Sequence, residues 1–337
     1  MRTPSVVAIG AANIDINGYS ASALLHEESN PGRVELCAGG VARNIAENLA
    51  RLGVEVELLT ALGGDGLQRL IIESCRAAGV GYSYCAVDVT MPSSFYMAVL
   101  DCTGEMDVAV CDMSLADKLL TPAFLKSKRD LLEQADILVA DAGLLRDPLC
   151  WLTREMGHKK LFLDTVSIKR CDNVEGLLPF FHTVKMNGHE ALRLAGESSG
   201  REPTPQEAVQ LAGEFVRRGQ TRCYITLGRN GVAFAQRGGS CGHLPALPVT
   251  VRGASGAGDA FMAGAVYGEL RGMSLEQTAR FATAASAVAL SSLSTVSADM
   301  SEQSVSRWLA GPPAGGDAAR MIAGGPVVPP EKRRKKP

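Results

Sequence analysis

Short apolar runs alternate with longer stretches of helical period along most of this 337-residue chain, and that alternation constrains the fold more than any other feature. VVAIG (6–10), VELLTAL (56–62), ADILVAD (135–141), KLFLDTV (160–166), TVKM (183–186) and CYITLG (223–228) read as short strands. Between them lie segments such as VARNIAENLARLG (41–53), where Val41, Ile45, Asn48, Leu49 and Leu52 fall near one face and Gly53 supplies the stop. LQRLIIESCRAAG (67–79) is a second, ending at Gly79, and helices are expected from Gly256 to about Leu309. Strand–helix alternation predicts an α/β protein whose mostly parallel sheet is covered on both faces. Ligands of such sheets bind beyond the carboxyl ends of the strands.

Two segments break the alternation. Residues 12–38 and 82–112 hold β-like runs, including SSFYMAVLD (93–101) and EMDVAV (105–110), with turn residues from Asp101 to Gly104. They are expected to form a small antiparallel sheet that serves as a lid over the strand ends. From about Gly311 the chain turns Pro/Gly-rich and ends in KRRKK, so residues 311–337 are expected to be a disordered tail after one domain spanning 1–310. The basic end reads as a solvated tail, with a nuclear import signal as the minor alternative.

Composition narrows the function. The net charge of −2 gives no reason to expect nucleic acid or an anionic membrane as partner. No run approaches the roughly 18 apolar residues of a membrane span, and the opening MRTPSVVAIGAANIDI is too polar for a secretion signal. Nine cysteines, none in a C-x-x-C pair, read as reduced thiols in the cytoplasm, and the scattered histidines form no metal-ligand spacing with them.

The densest chemistry lies in GASGAGDAFMAG (253–264). A helix beginning near Ala257 exposes its first N–H groups, and the small residues Gly256, Ala257 and Gly258 let a phosphate approach them. The pattern matches neither G-x-x-x-x-G-K-[ST] nor G-x-G-x-x-G, and the absence of the latter after the first strand argues against a dinucleotide-dependent dehydrogenase. Asp259 in the first turn has two readings. It favours the helix dipole by a few tenths to ~1 kcal/mol, or it takes a proton from a hydroxyl beside the phosphate.

These stretches resemble the ribokinase-like (PfkB) family of sugar and nucleoside kinases. GASGAGDAFMAG is similar to the family's C-terminal signature, AGGVARNIAENLARLG (38–53) to its N-terminal one, and KMNGHE (185–190) to its N-x-x-E motif, in the family's order over about residues 6–309. The resemblance implies a three-layer α/β/α fold with a small β-sheet lid, ATP and Mg²⁺ as cofactors, and Asp259 as catalytic base over an anion hole at Gly256, Ala257 and Gly258. It further implies that Gly39 and Gly40 approach the sugar through their amides, and that Asn13, Asp15 and Asn44 hold ribose hydroxyls. Asn187 and Glu190 would serve the Mg²⁺–phosphate region through water, although Asn at N-cap and Glu at N3 also make a capping box. TLGRNG (226–231) would meet ATP phosphates through Thr226, Gly228 and Gly231; it is also a plausible turn between two strands.

Within the family the chain is most similar to the pseudouridine kinases, through GAANIDINGYS (10–20), SNPGRV (29–34), TGEMDVAVCDM (103–113) and DTVSIKRC (164–171). Two departures bear on this. Gly253 stands where the family often has an aspartate for a monovalent cation, so that cation is not carried over. Val41 stands where ribokinases commonly have lysine after the Gly-Gly pair, which favours a nucleoside over free ribose. A base with an additional ring N–H needs an acceptor, since an unmet buried donor costs roughly 1–3 kcal/mol. Ser29 and Lys169 come first by resemblance, with Asn30, Ser93 and Asp112 as further candidates. Another nucleoside or sugar kinase (uridine, adenosine, ribose) and a non-catalytic nucleoside-binding protein stay as alternatives. A lid with an exposed edge and an apolar face leads to the expectation of a homodimer.

Overall fold

The structure, a computed structural model, describes residues 5–197, 200–253 and 255–311; the tail from 312 to 337 lies outside the described residues. Its strands in chain order are β1 (Ser5–Ile9), β2 (Asn13–Ser20), β3 (Gly32–Gly39), β4 (Glu55–Leu59), β5 (Ala61–Leu62), β6 (Ala86–Val87) and β7 (Phe95–Leu100). They continue as β8 (Met106–Asp112), β9 (Ile137–Asp141), β10 (Lys160–Asp164), β11 (Thr183–Asn187), β12 (Arg222–Thr226), β13 (Val232–Gln236) and β14 (Cys241–Leu244).

The main sheet runs β14-β13-β12-β11-β10-β9-β1-β4. Its strands are parallel from β12 through β4, and β13 and β14 close one edge antiparallel. The apolar runs are continuous because both faces are covered. Side chains alternate across β9: Ile137 and Val139 pack with Val6, Ile45, Leu49 and Phe281, whereas Leu138 and Ala140 pack with Leu149, Leu152, Leu163 and Phe215. On the first of these faces the helix Ala257–Leu270 lies against the helix Leu275–Leu290. A methyl group on Gly264 would meet Ala282 Cα at 2.6 Å, so the glycine sets how closely these two helices approach.

The lid is a second sheet, β3-β2-β7-β8. It corrects the expectation of an antiparallel sheet: β3–β2 and β7–β8 are antiparallel, but β2 and β7 pair in parallel. Two hairpins separated by a long excursion meet side by side, and that pairing is non-local. VELLTAL also proves to be two strands. β4 belongs to the main sheet, while the chain changes partner at Thr60 and β5 pairs with β6. A run of apolar residues shows burial but not a change of hydrogen-bonding partner.

Lid residues alternate between two faces. Asp15 pairs with Cys37 and Tyr96, and Tyr96 with Cys111, giving a row that faces the main sheet. The opposite face carries the row Leu36, Ile16, Met97 and Val110 and the next row Val34, Gly18, Val99 and Val108. Val34, Leu36, Met97, Val108 and Val110 are all exposed there.

Candidate active site

A cavity of about 400 Å³ lies between the carboxyl ends of β1, β9 and β10 and the inner face of the lid. Asn13, Asp15 and Tyr96 line it from the lid, and Gly40, Val41, Asn44, Asp141, Ser255 and Gly256 from below. That volume is in the ordinary range for a small-molecule site.

Asp259 stands in the first turn of the helix Ala257–Leu270, next to this wall and almost wholly buried. Gly256 caps the helix with φ 79°, a left-handed conformation, and a side chain there would collide with the Thr295 carbonyl. Asn44 Nδ2 donates to Asp259 Oδ2 at 2.7 Å. The orientation of that amide is itself held, because Arg43 donates to Asn44 Oδ1 and anchors on Glu47 at 2.6 Å and on Ser74 at 2.6 Å. Burial pushes the Asp259 carboxyl up to about 7, helped by the nearby Asp164, while Lys185, Asn44 and Arg43 hold it down. A carboxylate poised near neutrality suits a general base.

Beside Asp259 lies a cluster of charges at the strand ends. Lys185, in the middle of β11, donates to Asp164 Oδ2 at the end of the neighbouring β10 at 3.0 Å, both groups being buried. Burial works against the Lys185 ammonium, but Asp164, Glu190 and Asp259 outweigh it and raise its pKa. A methyl on Gly258 would lie 2.8 Å from Lys185 Nζ, so the ammonium faces the open N-terminus of the Asp259 helix. Asp141 accepts from the amides of Ala11 at 3.0 Å, Ala42 at 3.0 Å and Gly143 at 2.8 Å. Burial nevertheless pushes it up to about 6, with Asp164 adding to the effect. Asn187 and Glu190 form the capping box, and both Glu190 carboxylate oxygens are engaged: Asn187 N at 2.8 Å and Thr165 Oγ1 at 2.6 Å donate to Oε2, and Asn187 Nδ2 at 2.6 Å donates to Oε1.

The residues predicted for sugar and base separate into two groups. Asn13, Asp15, Gly40 and Asn44 line the cavity, and Asn13 Nδ2 donates to Asp15 Oδ1 at 2.6 Å. Gly39 lies behind them; the space of its missing side chain is filled by the Asp15 carboxyl. Ser29, Ser93, Asp112 and Lys169 do not line the cavity. Ser29 is exposed in the loop between β2 and β3, where Asn30 instead ties the loop together through Leu25 and Glu28. Ser93 is buried and bound to Asp65 through both its amide and its hydroxyl, at 2.8 Å each. Asp112 Oδ1 accepts from Ser114 N at 3.0 Å at the start of a helix. Lys169 is exposed, and its neighbour Arg170 lines the cavity in its place. One position along a 3-10 turn decides which of two basic residues faces inward.

Of the residues that the resemblance assigns to ATP, Thr226 is paired across the sheet with Asn187 at the ends of β12 and β11. Gly228 and Gly231 belong to the tight turn into β13, and a side chain on Gly231 would strike the Leu244 carbonyl. At Gly253 a side chain would meet the Ser292 carbonyl at 2.8 Å. The sequence reading missed Asp141, Asp164 and Lys185. Their signal was present: a charged residue inside or closing an apolar run, as in ILVAD, KLFLD and TVKMN, is placed at the carboxyl edge of a parallel strand.

Residues 3–302 match the pfkB family of carbohydrate kinases. The chain belongs to that family. Among curated proteins the kinase is 35% identical to a protein named pseudouridine kinase from Escherichia coli strain K12 over 297 residues, 88% of this chain and 93% of the relative. Among solved structures it is similar to a carbohydrate kinase from Agrobacterium tumefaciens, with a TM-score of 0.79, 28% identity, and coverage of 91% and 97% of the two chains. Arabidopsis thaliana ribokinase, solved with ribose and ATP, has the same fold with a TM-score of 0.77 at 21% identity, covering 92% and 99%. The kinase therefore has the ribokinase-like α/β fold and is a phosphotransferase of this family.

Proposed function

We propose that this kinase transfers the γ-phosphate of ATP to the 5′-hydroxyl of pseudouridine. The observation that carries the chemistry is Asp259, buried beside the cavity, held by Asn44, and set in a helix N-terminus that faces the Lys185 ammonium. The relative from Escherichia coli supports the substrate, and so does Val41 in the cavity wall, where no lysine is present to meet a free sugar.

Asp259 takes the proton of the 5′-hydroxyl as that oxygen attacks the γ-phosphorus. The bond from phosphorus to the β,γ-bridging oxygen breaks, and ADP leaves with the electron pair. Charge that builds on the transferring group meets the helix N–H groups and Lys185, donors already in place before reaction. Asn13, Asp15 and Asn44 hold the ribose: carboxylate oxygens accept from its hydroxyls, and the amides complete the set.

Among the described residues no group of three or more carboxylate, histidine or cysteine side chains could ligate a metal directly, so a divalent cation would be held through water. Asp164, Glu190 and Asp259 gather around Lys185, and Asp164 raises both Asp141 and Asp259. Mg²⁺ would be held through water by Asn187 and Glu190, whose carboxylate oxygens already accept protein donors. When bound, it would neutralise the triphosphate. Thr226, paired with Asn187, and Gly228 and Gly231 in the turn that follows would meet the nucleotide phosphates. A homodimer through the outer lid face is supported by the exposed Val34, Leu36, Met97, Val108 and Val110. The cysteines are free among the described residues, and no described helix is long and apolar enough to cross a membrane.

The test is ADP release from ATP·Mg²⁺ with pseudouridine, uridine, adenosine or ribose, in wild type and Asp259→Asn. The expected result is turnover of pseudouridine above the others, lowered by about 10²–10⁴-fold in the variant. Ribose turned over best would replace the substrate, and full activity in Asp259→Asn would remove the base.

A further inference from the structure

The far end of the cavity holds two opposite charges that have not closed on each other. Asp117 lies on the short helix Ser114–Leu119 that follows the lid, and Arg170 on the turn Ile168–Arg170 that follows β10. Both line the cavity. Neither side chain has a hydrogen bond or ion pair among the described residues. Burial raises the Asp117 carboxyl and Arg170 opposes it, so the two groups sense each other across the gap; the other charge acting on Asp117 is Asp112. Asp15 and Asp259 are acted on by a different cation, Arg43, which is bound to Asn44. Asp117 and Arg170 therefore mark the end of the cavity away from the phosphoryl-transfer machinery. Around them the walls are apolar, from Met113, Leu120, Leu144 and Val166.

We propose that Asp117 and Arg170 form a two-point clamp that reads the outer edge of the substrate's heterocyclic base, Asp117 accepting from a ring N–H and Arg170 donating to the adjoining carbonyl. The inference rests on the nucleoside-kinase reading above and deepens it. The apolar walls suit the faces of a flat ring, and the charges suit its polar rim. A carboxylate beside a guanidinium is complementary to an N–H beside a C=O, which is the edge of an imide. It opposes the edge of cytosine, where an amino group takes the place of the carbonyl and a bare nitrogen the place of the N–H. A site built this way rejects the mismatched edge because its own groups would be left unpaired.

The glycosidic attachment decides what the clamp sees. In pseudouridine the ribose is joined at C5, so C2=O points outward with N1–H and N3–H on its two sides. In uridine the ribose is joined at N1, so C4=O points outward with N3–H on one side and C5–H on the other. Pseudouridine thus offers Asp117 a donor in either orientation of the ring about its bond to ribose, and uridine in one. The clamp separates both from cytidine strongly and from each other less strongly.

Initial rates with pseudouridine, uridine, cytidine and ribose in wild type, Asp117→Asn and Arg170→Met test this, together with the KM for ATP. Arg170→Met is expected to raise the pseudouridine KM by about 10- to 100-fold, the loss of one hydrogen bond to a charged group. The KM for ATP and the low rate on ribose should stay as in wild type. Asp117→Asn, whose amide offers a donor as well as an acceptor, is expected to narrow the preference for pseudouridine over cytidine. A wild-type enzyme that prefers pseudouridine, with both variants keeping its KM and its base preference, would overturn the clamp and leave the nucleoside reading standing. A wild-type enzyme that prefers ribose would overturn both.

Discussion

The floor of the site and its lid are built in opposite ways. The floor collects buried charge: Asp141 and Asp164 end strands, Lys185 lies within one, and Glu190 and Asp259 sit in the first turn of a helix, bonded to amides, to hydroxyls or to one another. The lid is two-faced, with Asp15, Cys37, Tyr96 and Cys111 turned inward and Leu36, Met97 and Val110 turned to solvent. Chemistry needs charges whose positions do not depend on what is bound, and a parallel sheet covered on both sides provides them. Substrate selection needs a surface that meets something else, and the lid's polar face lines the cavity; the subunit pairing proposed above would use its apolar face.

The largest expected effect lies in the floor. Lys185→Met leaves the Asp164 carboxylate buried without its partner, which is expected to cost about 3–5 kcal/mol. A drop in the denaturant midpoint without change of slope would show it; an unchanged midpoint would mean that the pair is not structural. The lid should answer differently. Val110→Asp on its outer face is expected to convert dimer to monomer in light scattering, with an unfolding midpoint that no longer depends on protein concentration. A wild type that is already monomeric at micromolar concentration would remove the role given to that face. The smallest effect is on titration. Asp259 must be ionised to accept a proton, and with its carboxyl near 7 the acid limb of kcat/KM is expected to have its midpoint there. Asn44 donates to the ionised form and so lowers that midpoint. Asn44→Ala should therefore move the limb to higher pH, and a limb that stays in place would separate it from Asp259.

Local signals account for much of this molecule. The parallel sheet was legible because its strands are buried on both faces, so burial appears as short unbroken apolar runs separated by amphipathic helices. The helix start at Ala257 and the capping box at Asn187 and Glu190 were legible because caps depend on residues within one turn of each other. The cavity-lining Asn13, Asp15 and Asn44 came with the family's motifs.

What lay outside the sequence is non-local. The parallel pairing of β2 with β7 joins segments about 80 residues apart, and no residue in either announces its partner. Asn44 and Asp259 are separated by 215 positions and meet at 2.7 Å only because both their helices pack on the same face of the sheet. Ser93 looked available for a substrate until Asp65 claimed it, and Lys169 gave way to Arg170 through the phase of a single turn. Hydrophobic burial and helix capping act along the chain and can be read there. Which polar group meets which is decided when distant segments desolvate one another, and that happens only in the folded molecule.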